Sequence, residues 1–361
     1  MRSSVAALSV LSIMVLFSVL VIHVSGSTTA TVTVKVGDAP DGIAVDAKTD
    51  TVYVADSNDN NVTVINGTTG KVIENITVGD SPSGVAVDPA TDMVYVVDSN
   101  DNNVTVINGA TNKQVVNVTV GDSPDALAVD PTTNVVYVAD SADNNLTVIN
   151  GASNKAGVNI TVGDDPDGVA FDSANDMVYV ADAIDDNVTI INAATNTPME
   201  NISVGVSPEA LAVDTSTNFV YVADNVGSNV SIIDGATNQV VGNVTVGSAP
   251  DAIDVDSATD RFYVANYLSN TVTVIPGITS LTTSTSPTTS TSPTTTVHTS
   301  TSPPTTSSTS TSKPIPEFPA ELGLTIALVA VITVSYAVAR RGARGTRLNT
   351  SSGNAGAIGR Q

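Results

Sequence analysis

Oxygen-bearing side chains at alternate positions are the first feature of this chain that could do chemistry. Asp56, Asn58 and Asn60 fall in Asp56-Ser-Asn-Asp-Asn-Asn61, and Asp98, Asn100 and Asn102 repeat them in Asp98-Ser-Asn-Asp-Asn-Asn103. Hard carboxylate and amide oxygens at that spacing suit Ca2+, and Asp140 and Asp182 hold the matching position further along. An EF-type loop would add a turn glycine and a distal bidentate glutamate, and neither follows here. The same residues would equally serve polar hairpin loops, where Asp and Asn side chains satisfy nearby backbone groups. Ca2+ is thus the one cofactor these residues invite, against diffuse cation condensation on an acidic face.

The second repeated chemistry is the Asn-x-Thr/Ser sequon. It occurs at Asn61, Asn103, Asn145, Asn187 and Asn229, again at Asn75, Asn117, Asn159, Asn201 and Asn243, and once at Asn66. Each is a candidate for N-glycosylation, which needs a surface position in a secreted chain. Catalytic groups are scarce by contrast. There is no Cys, and the two histidines, His23 and His298, lie outside the repeated block described below. General-base or nucleophilic work at neutral pH would therefore fall to carboxylates or a metal. A single active site must also break repeat symmetry. The local deviations, Asp165, Ile184-Asp-Asp186, Val206, Asp254, Arg261 and Tyr267, are scattered along the chain. The reading is a non-catalytic module, with an extracellular metal-dependent hydrolase or lactonase as its alternative.

These residues are positioned by a repeat. Val-Gly-Asp-Ser/Ala-Pro or a close variant begins at Val36, Val78, Val120, Val162, Val204 and Val246, without insertions. Each unit holds four short β-branched runs bounded by Gly, Pro, Asn and Asp, as in Gly84–Asp88, Met93–Val97, Asn103–Ile107 and Val115–Val120. Four strands in some 42 residues is the period of a β-propeller blade. The fold class expected over 30–277 is all-β, a six-bladed β-propeller. The last copy stops at Pro276 after three strands, and Thr31–Val36 has the phase of an outermost strand. Pairing of residues 30–36 with Thr271–Ile275 is expected to close the last blade and hide both edges. Tyr53, Tyr95, Tyr137, Tyr179, Tyr221 and Tyr263 fall in the second strands, and packing between blades is expected of them rather than a sugar-stacking ring.

Tyr53-Val-Ala-Asp, Tyr95-Val-Val-Asp, Tyr137-Val-Ala-Asp, Tyr179-Val-Ala-Asp, Tyr221-Val-Ala-Asp and Tyr263-Val-Ala-Asn, preceded by contexts such as Gly84-Val-Ala-Val-Asp, resemble the YVTN β-propeller repeats of archaeal surface-layer proteins. The tetrapeptide ends in Ala-Asp where that family has Thr-Asn, and propellers of that kind often have seven blades. The resemblance implies a cell-surface setting; the blade number comes from the repeats.

Net charge is −23, from 36 acidic and 13 basic residues, and every acid except Glu317 and Glu321 lies between Asp38 and Asp260. Such a surface offers no basic face for phosphate, which excludes nucleic acid as a partner. Residues 1–26 read as a secretory signal peptide: Met1-Arg2, an apolar run to Ile22, then small residues. Residues 278–313, nearly all Ser, Thr and Pro, read as a disordered, O-glycosylated stalk. Residues 314–341 join Pro316-Glu-Phe-Pro319 to the apolar stretch Leu322–Ala339 and to Arg340 and Arg341, which reads as a transmembrane helix oriented by its basic flank. That arrangement resembles the PEF-type sorting signal of archaeal surface proteins, which implies transfer to a lipid anchor; a plain stop-transfer helix is the other reading. Residues 342–361 form a basic cytoplasmic tail. The expected location is the extracellular face of the cell membrane. Expected partners are the membrane, through the helix or a processed lipid anchor, and other envelope proteins or glycans.

Overall fold

The computed structural model describes residues 33–256 and 261–277. They form six antiparallel sheets and no helix, one sheet per repeat: a six-bladed β-propeller. Blade 1 consists of an inner strand Pro40–Asp46, a second strand Thr51–Asp56, a third Asn61–Asn66 and an outer strand Lys71–Thr77. Blades 2 to 5 repeat these elements at the repeat interval, with inner strands Pro82–Asp88, Pro124–Asp130, Pro166–Asp172 and Pro208–Asp214. Blade 6 has three strands, Pro250–Asp256, Arg261–Asn266 and Thr271–Pro276.

Turn chemistry sets these boundaries. In blade 2 the Asp88 carboxylate accepts the Ala90 N–H at 2.8 Å and the Thr91 hydroxyl at 2.7 Å, folding the first hairpin. Asp92, the last residue of that turn, stands at φ 61°. Nearly every later hairpin also ends on Asp or Asn at positive φ, residues whose short polar side chains tolerate the left-handed region. The glycine of the Val-Gly step has another cause. A Cβ on Gly79 would lie 2.6 Å from the Asp98 carboxyl carbon, and Gly163 meets Asp182 at the same distance.

The core lies between blades. Tyr53, Val62, Val64 and Ile76 of blade 1 pack against Val94, Val96 and Ile107 of blade 2, and equivalent clusters join each following pair. Tyr53, Tyr95, Tyr137, Tyr179 and Tyr221 are fully buried in these layers, and burial pushes the phenols up to about 12 where Tyr95 and Tyr137 lie. The expectation of inter-blade packing holds for these five.

Among the described residues the expected closure is not formed. Of residues 30–36, the described part, 33–36, carries no strand, and the sixth sheet ends at its third strand. A β-branched run specifies a strand only where an edge lies within reach, and Val272 and Val274 on that edge are exposed. The expected signal peptide, stalk, transmembrane helix and tail lie outside the described residues. Among the described residues no helix is long and apolar enough to cross a membrane.

Candidate functional site

The loops entering the inner strands and those joining second to third strands share one face. There the Asp38 N–H donates to Asp59 Oδ2 at 2.8 Å and Asn58 Nδ2 to Asp38 Oδ2 at 3.4 Å. The candidate calcium ligands border this face, but their oxygens serve different protein donors. Asp56 is buried and its Oδ2 accepts the Thr63 hydroxyl at 2.5 Å. Asp98 accepts the Thr105 hydroxyl at 2.6 Å and the Gly79 N–H at 3.0 Å, while Asp140 and Asp182 do the same with Thr147 and Gly121, and with Thr189 and Gly163. Asn60 Oδ1 takes the Ser81 N–H of the next blade at 3.1 Å, and Asn102 takes that of Ser123. Asn100 Nδ2 reaches Asp80 at 3.3 Å.

These side chains therefore do not converge as one loop of ligands, and the set does not fit a Ca2+ cage of six to eight oxygens. The aspartates tie second to third strands within a blade, and Asn60 and Asn102 join one blade to the next. Ser81 and Ser123 precede prolines at φ 57° and 51°, a strained left-handed conformation, and the Asn60 and Asn102 amides hold that backbone in place. Among the described residues no group of three or more His, Asp or Glu has the spacing to hold a metal ion.

Burial has an electrostatic consequence. Removal from water pushes the Asp98 carboxyl up to about 7, although the Thr105 and Gly79 hydrogen bonds oppose this; Asp101 nearby adds repulsion. Asp182 is likewise pushed up to about 7, and Asp140 and Asp224 to about 6. In blade 6 this position is Asn266, whose Nδ2 donates to the Thr273 hydroxyl at 2.9 Å.

The sequons divide by accessibility. Asn75, Asn117, Asn159, Asn201 and Asn243 are exposed on outer strands. Asn61, Asn103, Asn145, Asn187 and Asn229 open the third strands half-buried, and the Asn61 and Asn103 amides each donate at 3.3 Å to a loop carbonyl. Asn66 folds an Asx turn by accepting the Thr69 N–H at 2.8 Å.

Sequence reasoning missed one convergence. The residue after each inner-strand proline, Asp41, Ser83, Asp125, Asp167, Glu209 or Asp251, comes from a different blade, and all six line one central cavity of about 230 Å3. Ser83 donates to the Asp125 carbonyl at 2.9 Å, and Asn225 Nδ2 donates to Glu209 Oε2 at 3.0 Å. Their constant interval was the available signal. Five carboxylates around one mouth focus a negative potential and concentrate cations without needing a discrete metal site.

No family model matches the chain, and no curated protein matches it. Among solved structures, a functionally unknown protein from Desulfotomaculum acetoxidans DSM 771 is similar at TM-score 0.60 and 15% identity, over 67% of this chain and 84% of its own. Kuenenia stuttgartiensis hydrazine synthase is similar at TM-score 0.50 and 18% identity, over 70% of this chain and 99% of the matched one. At such identities the likeness carries the fold alone.

Proposed function

We propose that the propeller is a non-catalytic structural or adhesive module of a cell envelope. In this reading a signal peptide exports it, the Ser/Thr/Pro stalk holds it away from the membrane, and the C-terminal apolar segment or a processed lipid anchor retains it, in the manner of YVTN-type surface-layer proteins. The observation that carries the reading is how the repeated polar groups are used. The Asp98–Thr105, Asp140–Thr147 and Asp182–Thr189 pairs are spent on tying second to third strands within a blade, and the Asn60 and Asn102 clamps on holding successive blades together. What remains exposed on that face is acidic loop and an acid-lined channel mouth, suited to long-range attraction of cationic partners rather than to bond-making.

Protease shaving of intact cells tests the reading. Peptides of residues 30–277 are expected in the supernatant while cytoplasmic markers stay inside; a propeller retained until lysis would overturn it. Purified protein is also expected to leave lactones and esters untouched with or without EDTA, and chelator-sensitive turnover would replace the reading with a hydrolase.

A further inference from the structure

The face that carries the acidic loops changes character around the ring. In the loops joining second to third strands, one position is Asn58, Asn100 and Ala142 in blades 1 to 3 but Ile184, Val226 and Leu268 in blades 4 to 6. In the loops entering the inner strands, Asp38, Asp80, Asp122 and Asp164 give way to Val206 in blade 5 and Ser248 in blade 6. The two positions lie side by side. The Asn100, Ile184 and Leu268 N–H groups donate to the Asp80, Asp164 and Ser248 carbonyls at 3.2 Å, and in blade 5 the Gly227 N–H donates to the Val206 carbonyl at 3.1 Å.

Folding does not account for the change. In blades 1 and 2 the Asn58 and Asn100 amides donate to the Asp38 and Asp80 carboxylates, and between blades Asn102 donates to Asp122 at 2.8 Å and Asn144 to Asp164 at 2.7 Å. Ile184 and Val206 can make no such bond. They stay 51% and 49% exposed, so little apolar burial offsets the loss. Their loops meet where the Ser207 N–H donates to Asp186 Oδ1 at 2.8 Å, and half-buried Val226 adjoins Val206 through Gly227. This apolar island is bordered by exposed Asp164 and Asp185 and, toward the axis, by Asp167 and Glu209 of the cavity mouth.

We infer that the island is a docking site for a partner polypeptide that presents an aliphatic or aromatic side chain next to lysine or arginine. An apolar centre inside a charged rim is the anatomy of a protein interface. The sign of the rim selects the occupant. A second copy of this chain would bring carboxylates against carboxylates, which costs binding energy, whereas a lysine or arginine meets Asp164, Asp185 or Glu209 and lays its stem along Ile184 and Val206. The inference deepens the adhesive reading and rests on it. Its test reads binding by purified protein, whereas shaving of cells reads location, so a failure of one is distinguishable from a failure of the other.

Full-length protein, kept free of detergent in phosphatidylcholine nanodiscs, is panned against a random dodecapeptide library displayed on phage. The counter-target is the Ile184→Asn/Val206→Ser double variant. Both substitutions restore residues that blades 1, 2 and 6 carry at these positions, so an unchanged melting temperature is expected. Peptides kept by the parent and rejected by the variant should share a large apolar residue beside Lys or Arg. The commonest, made synthetically, should bind the parent about tenfold more tightly than the double variant, with each single variant between them. Its affinity should fall about tenfold from roughly 50 mM to roughly 500 mM NaCl, and Asp167→Asn with Glu209→Gln should flatten that response. A library in which parent and variant retain the same peptides would mean that the island is no docking site. Selected peptides without basic residues, or binding indifferent to salt, would mean that the occupant is wrong. Either result overturns the proposal.

Discussion

Replacing Asp98 by Asn should stabilise this protein at alkaline pH, an unusual expectation for a residue that accepts two hydrogen bonds. Its carboxyl is held near 7 against a reference of 3.8 because burial disfavours the charged form. The raised value means that the fold retains a proton which the unfolded chain releases near 3.8. The neutral carboxyl's contribution is therefore complete below about pH 4, declines as pH rises toward 7, and is lost above it. A three-unit gap sets a ceiling of roughly 4 kcal/mol for this side chain. Asp140, Asp182 and Asp224 share the setting, and the four penalties together would match the whole stability of an ordinary domain. Local hydration must relieve much of each, and about 1–2 kcal/mol per site is the working figure.

The Asp98→Asn substitution removes the penalty at little structural cost. The new side-chain oxygen can still accept the Gly79 N–H, and the new amide nitrogen can donate to the Thr105 oxygen. The Thr105 hydroxyl then keeps Asn117 Oδ1, at 3.2 Å, as its acceptor. Blade 6 already has the amide-to-hydroxyl half of this arrangement at Asn266 and Thr273. Urea melts at integer pH from 4 to 8 should show the parent losing stability across the range and the variant losing less. At pH 8 Asp98→Asn should lie above the parent by about 1–2 kcal/mol. A parent whose stability rises toward pH 8, or a variant weaker than the parent there, would refute the assignment of a raised carboxyl.

Tyr137→Ala should cost about 3–5 kcal/mol in urea unfolding, because it empties a closed inter-blade layer, whereas Tyr263→Ala on the exposed face of blade 6 should cost under about 1 kcal/mol. Thr105→Val keeps the volume but strips a donor from the buried Asp98, and a loss of about 1–3 kcal/mol at pH 8 is expected in the same assay. Site-resolved mass spectrometry should find glycan on Asn75, Asn117, Asn159, Asn201 and Asn243 more fully than on the half-buried Asn61, Asn103 and Asn145. Neutralising Asp125 and Asp167 together should raise the melting temperature at low ionic strength, and the gain should vanish in about 1 M salt as the Debye length shrinks.

The blades were legible because their information is local: alternation along each run, Asp and Asn at each turn, and a constant interval between copies. The role of Asp56, Asp98, Asp140 and Asp182 was misplaced, since an acid at the end of a strand reads as a loop ligand. A hydroxyl seven residues later in every blade, from Thr63 to Thr273, was the overlooked clue to a buried pair. The channel ring was hidden for a different reason. Asp41, Asp125 and Asp251 are remote in sequence and meet only because six inner strands converge on one axis. Closure by residues 30–36 was inferred from strand character, which says how a segment would run but not which edge lies within its reach.

Mass spectrometry of the native protein drawn from its own membranes tests the envelope reading most directly. The expected molecule begins after the signal near Gly26, carries glycans on the outer-strand sequons and along 278–313, and ends in a membrane helix or a lipid-linked residue near Pro319. A chain with residues 1–26 retained and no glycan, recovered from the soluble cytoplasm, would contradict it.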